Sequence, residues 1–145
     1  MIERVVPLLI GLLGGIMVGF QSPIAGAMSQ RIGAASGSVV VHIGGAIFSI
    51  LLLLARGGEN LAAWRSLPWY MLLSGGFGVV LFLTVTYTLP RLGAAAMLTL
   101  IVVGQLVVGV LIDHFGWFEV AARPLDLTRV IAIGFLLVGV YLIAR

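Results

Sequence analysis

The sequence predicts an all-α membrane protein with five transmembrane helices, and three observations carry that expectation. Of its 145 residues, 61% are hydrophobic and only 9% charged, with a mean hydropathy of +1.24; an ordinary soluble domain carries about 25% charged residues. Apolar runs long enough to cross roughly 30 Å of hydrocarbon occur five times. The breaks between them hold glycine pairs, prolines and nearly every charge, as expected where a backbone leaves its helix only near water.

The first span covers about 5 to 28 and ends in "QSPIAGA". Such a run can also be read as a signal peptide cleaved after the small residues Ala25 and Ala27, but Glu3 offsets Arg4 where a basic segment should stand. The linker "SQRIGAA" leads to a second span at about 36 to 55, and "RGGENLAAWRS" to a third at about 67 to 89. A tight "PR" at 90 and 91 precedes the fourth, about 92 to 114, and "FGWFEVAARPLD" the fifth, about 127 to 144. No strand-like alternation or short repeat interrupts the pattern, so residues 1–145 read as a single five-span domain.

Several function classes are disfavoured by what the chain lacks. All eight basic side chains are arginine, and the formal charge of +3 is spread over the connections, so no basic stripe exists for nucleic acid. There is no cysteine, no HExxH and no glycine loop with a lysine, and no serine, histidine and aspartate stand in a triad-like order. The expectation is neither an enzyme nor an ATP-driven pump, with no cofactor and no metal. The surrounding partner is membrane lipid.

Five spans put the amino terminus and the two long connections on one membrane side. That side holds Arg4, Arg56, Arg65, Arg123 and Arg129, against Arg31, Arg91 and Arg145 on the other. Arginine bias sets orientation, and five against three is a weak bias, leaving both orientations open. Trp64, Trp69 and Trp117 fall on or beside the long-loop side, as an interfacial aromatic belt would.

Polar residues within the spans are the candidate site, because a buried polar group without a partner costs several kcal/mol in lipid. Gln21 stands in the first span, His42 in the second, Thr84 in the third and Gln105 near the midplane of the fourth. Ser38, His42 and Ser49 share a stripe on the second helix; Thr84, Tyr87 and Thr88 share a face of the third. Gln105, Gly109 and Asp113 lie within about 80° of arc, with His114 nearly opposite, which speaks against an Asp113–His114 catalytic pair. Each has a structural alternative. The threonines can bond back to their own helix, the glutamines can join helices, and Asp113 and His114 can simply end a helix at the interface. His42 is the sharpest candidate, since histidine exchanges protons near neutral pH and is a natural carrier for proton coupling. Gly11, Gly15 and Gly19 form a small-residue stripe suited to helix packing, as does Gly109.

Gln21 ending the first apolar run, "LPRLGAAA" at 89 to 96, "GQ" at 104 and 105, "IDHFGWF" at 112 to 118 and the closing "GFLLVGVYLIAR" occur in that order. In these features the chain resembles, over its whole length, the YdcZ-like inner-membrane exporter family, five-helix members of the drug/metabolite transporter superfamily. In that family an asparagine commonly follows the glutamine by one helical turn; here Ala25 stands there. The resemblance implies a multi-pass protein of the bacterial inner membrane and a transport class, without a cargo.

An odd span count gives a chain whose second copy, joined directly, would be inverted. Two inverted copies would form a ten-helix bundle like the larger relatives, with a site at the midplane. The expected function is a secondary-active exporter of small organic molecules, acting as an antiparallel homodimer or as a heterodimer with a sister five-helix protein. The substrate would meet Gln21, His42, Ser49, Thr84, Tyr87 and Gln105. The alternative is a non-transporting membrane subunit that scaffolds or regulates a larger complex.

Overall fold

The polar linker expected at 29 to 35 shrinks, in the computed structural model, to one residue. Residues 2–143 are described; Ala144, where the fifth span was expected to end, and Arg145 lie outside them. Helix α1 runs Ile2–Ile32 and α2 runs Ala34–Ala55, with only Gly33 between them at φ 88° and ψ 153°. Ser29, Gln30 and Arg31 are polar, but a helical backbone bonds to itself whatever its side chains, so helix persists until a residue takes a conformation that glycine tolerates. The amide of Gly33 bonds the Ser29 carbonyl at 2.9 Å, and that of Gly37 bonds the Gly33 carbonyl at 2.9 Å.

After α2 the chain turns through Gly57 and Gly58, both at positive φ, and through a 3-10 turn at Leu61–Ser66. A short α3, Trp69–Leu72, leads into α4, Ser74–Phe115. Helix α4 has 42 residues, about 63 Å at 1.5 Å per residue and twice the hydrocarbon thickness. It is broken at Gly93, which sits at φ 75° and ψ 169°. The expected "PR" connection at 90 and 91 is therefore corrected: Pro90 and Arg91 are helical, and the break falls two residues later. Residues 74–92 and 94–115 make arms of about 28 and 33 Å, each the length of one span. After a 3-10 turn at Trp117–Glu119, α5 covers Leu127–Ile143. Helices α1, α2, the two arms of α4 and α5 are five apolar helical segments.

The chain divides into two compact units, the first ending at Thr88 and the second beginning at Leu89. In the first, Ala25, Ser29, Gly37, Ser38, Phe82 and Val85 are buried. Gly37 lets α2 approach α1 and α4 closely, since a β-carbon there would lie 2.9 Å from Ser29 Oγ and 3.0 Å from the Phe82 ring. Gly37→Ala should cost about 1–3 kcal/mol by overpacking. Gly44→Ala, with nothing within 4 Å, should be neutral or stabilising by up to about 1 kcal/mol through helix propensity. Thermal unfolding of the two variants in detergent reads the difference.

In the second unit Gly116 ends α4 in the left-handed conformation (φ 66°, ψ 32°) usual after a helix C-terminus. The following loop is tied back by the Arg123 amide on the Asp113 carbonyl at 2.6 Å.

Away from these contacts the helices are apolar on every side. Leu8, Leu9, Ile10, Leu12 and Leu13, which with Gly11 run once around α1, are all exposed. A helix that is apolar all round belongs in lipid or against another chain.

Candidate functional site

Three open apolar grooves, each carrying polar side chains, lie along these helices. In the first unit a groove of about 360 Å³ is bounded by Ala35, Ser38, Val39 and His42 of α2 and by Val79 and Leu83 of α4. His42 is held from its own helix, with Nδ1 2.7 Å from the Ser38 carbonyl oxygen and 3.3 Å from Ser38 Oγ. A carbonyl oxygen has no proton to give, so at that distance Nδ1 is the donor. In the neutral ring Nε2 is then the lone-pair nitrogen, the atom able to take a proton. That atom would stand 2.9 Å from a β-carbon built on Gly78. Glycine at 78 is what lets the imidazole lie against α4.

A second groove of about 360 Å³ lies between α1 and α2, among Gln21, Ile24, Met28, Val41, Gly45 and Phe48. Pro23, one turn beyond Gly19, has no N–H to return to the Gly19 carbonyl. The groove thus lies beside a helix whose hydrogen-bond ladder is interrupted next to Gln21.

Within the second unit a third groove, about 350 Å³, is bounded by Gln105, Leu106, Gly109, Val110 and Asp113 of α4 and by Arg129, Ala132, Ile133 and Leu136 of α5. Arg129 Nη1 donates to Asp113 Oδ2 at 3.1 Å, and both side chains are about a third exposed.

Each groove therefore carries one of Gln21, His42 and Gln105. Ser49, Thr84 and Tyr87 line none of these three. The hydroxyls of Ser49, Thr84 and Thr88 bond back to the carbonyls of Gly45, Val80 and Thr84 at 2.9, 3.0 and 2.7 Å, the local bond that hydroxyls in a helix commonly make. Met17 and Phe20, beside Gln21 on α1, are exposed.

The family described as "Putative inner membrane exporter, YdcZ" matches residues 6–142, nearly the whole described chain. The chain belongs to this family. No curated protein and no solved structure matches it significantly. The YdcZ family's description as an inner membrane exporter agrees with the apolar helices of the chain, three of them long and apolar enough to cross a membrane among the described residues.

For this YdcZ-family member the expected helix-end residues act separately. Asp113 pairs with Arg129, whereas His114 Nδ1 accepts the Leu125 amide at 3.1 Å. A β-carbon built on Gly11, Gly15, Gly19 or Gly109 would meet nothing of another helix within 4 Å among the described residues. The glycines that admit close packing are Gly37 and Gly78, opposite side chains of other helices that sequence spacing does not reveal.

A further polar contact had a signal in the sequence. Pro90 deprives the Thr86 carbonyl of its helical donor, and Gln30 Nε2, from the end of α1, donates to that oxygen at 3.2 Å. A proline within an apolar helix implies an orphaned carbonyl four residues back, and hence a donor to be sought.

Proposed function

We propose that the chain is a secondary-active exporter of small organic molecules, coupled to protons through His42 and working as an antiparallel dimer around a midplane cavity. The observation that carries this reading is the seating of His42. Its ring is oriented by Ser38, its Nε2 can accept a proton, and it faces an open apolar groove rather than a closed core. The exporter description of the family supports the transport class. The dimer is supported by five apolar helical segments, by grooves open on the single chain and by a five-to-three arginine split that favours neither orientation strongly. In such a pair Gln21 and Gln105 supply amide contacts to the cargo.

Purified chain reconstituted alone into proteoliposomes should move solutes from a labelled panel of small organic compounds when a proton gradient is imposed. A scaffolding subunit would move none without other proteins. His42→Ala should fold, keep its oligomeric state and abolish the dependence of transport on the imposed gradient, because among the described residues lining that groove it is the one ionisable side chain. An unchanged pH profile in the variant would remove His42 from the coupling role.

A further inference from the structure

The ion pair between Asp113 and Arg129 is not needed to close the loop that it spans. Two other bonds already do so, the Arg123 amide on the Asp113 carbonyl and the Leu125 amide on His114 Nδ1, while the Arg129 amide bonds Asp126 Oδ1 at 2.8 Å within the start of α5. The pair itself is a single contact, Nη1 to Oδ2. A guanidinium has five N–H donors and a carboxylate about four lone-pair sites, so most of the hydrogen-bonding capacity of both groups is unused among the described residues. Both also face the groove that runs along α4 to Gln105.

We infer that this groove recognises a zwitterion, with an ammonium and a carboxylate at one end of an apolar body. The inference rests on the exporter reading for its physiological meaning and on the ion pair for its chemistry. A ligand carboxylate lies along the free edge of Arg129, where a planar guanidinium binds in two-point fashion, and the ligand ammonium meets Asp113. A zwitterion leaves no charge without a partner in a site of low polarity. An anion alone would add a negative charge beside Asp113, and a cation alone a positive charge beside Arg129, each leaving a like charge at close range. Leu106, Val110 and Ile133 offer the walls for the apolar body. Gln105 is eight residues from Asp113, about 12 Å along the helix, and sets the far limit of the ligand. A volume of about 350 Å³ is at the small end of ligand pockets.

The test uses the full chain purified in detergent, with binding measured by calorimetry. Leucine, methionine, phenylalanine and tryptophan are the zwitterions. 3-Phenylpropionate and 2-phenylethylamine are phenylalanine without its ammonium and without its carboxylate. At least one of the four should bind saturably. Phenylalanine should exceed both of its single-charge counterparts by about tenfold or more, the worth of one charge-assisted hydrogen bond. Asp113→Asn should invert the preference, binding 3-phenylpropionate better than phenylalanine, a reversal that a purely structural strap would not produce. Should that variant not fold, Asp113→Glu keeps the charge and should keep the zwitterion preference with weaker affinity. Binding of none of the four, equal binding of phenylalanine and 3-phenylpropionate, or loss of the preference in Asp113→Glu would each overturn the inference. Proteoliposomes separate it from the exporter reading. A zwitterion bound but never moved leaves the site standing and removes the transport role, whereas transport of other solutes with no zwitterion bound does the reverse.

Discussion

Two forms of the chain fixed in opposite orientations should each transport at background level and regain most of the wild-type rate when made together. One form carries added arginines in the 56–66 and 115–126 connections; the other carries them beside Gly33 and Arg91. Added arginines hold their side of a polytopic protein in the cytoplasm, and a starting bias of five against three is small enough for a few substitutions to decide it. If the working unit is an inverted pair, a population of one orientation contains no partner for itself. The expected loss is therefore nearly complete rather than partial. Measuring uptake into vesicles from cells making either form, or both, checks it, with a single cysteine introduced into a connection of this otherwise cysteine-free chain and labelled from one side reporting the orientation. Full activity in either fixed form alone would establish a parallel or monomeric unit instead. A wild type found in one orientation only would make a sister chain the required partner.

The second large effect is expected at Gly93. Its φ of 75° and ψ of 169° lie in a region open essentially to glycine, where another residue costs about 1–3 kcal/mol. The chain cannot relax by straightening, because an unbroken α4 of about 63 Å would project far beyond roughly 30 Å of hydrocarbon. Gly93→Ala should lower the yield of folded, inserted protein and its thermal midpoint in detergent. Gly104→Ala, in the same helix and with nothing within 4 Å, should be neutral or slightly stabilising. Equal behaviour of the two variants would show that the break at Gly93 is not demanded by the fold.

How far the sequence could be read follows from which forces leave a mark in it. Hydropathy marks the number of apolar segments, because lipid acts on side chains one by one. It does not mark where helices end, because the backbone ladder is indifferent to polarity. Thus Ser29 to Ile32 stay helical although they read as a linker, and the turn expected at Pro90 and Arg91 waits for Gly93. Polar residues in apolar runs are equally visible, so Gln21, His42 and Gln105 could be named, and each lies in a groove. What they touch could not be named. Gly78 opposes His42 from a helix 36 positions later, and Arg129 reaches Asp113 across 16 residues of loop and helix end. Neither spacing has a period to betray it. Ser49 and Thr84 were ambiguous for another reason, since a hydroxyl in a helix always has its own carbonyl within reach.

The bond from Gln30 to the Thr86 carbonyl ties the histories of two positions together. A chain that replaced Pro90 first would regain the backbone donor at 90, and Gln30 would become dispensable. A chain that replaced Gln30 first would leave that carbonyl with neither a backbone nor a side-chain donor from the chain. The two substitutions are therefore permitted in one order and resisted in the other, so among descendants of this sequence a proline at 90 should seldom be found without a side-chain donor at 30.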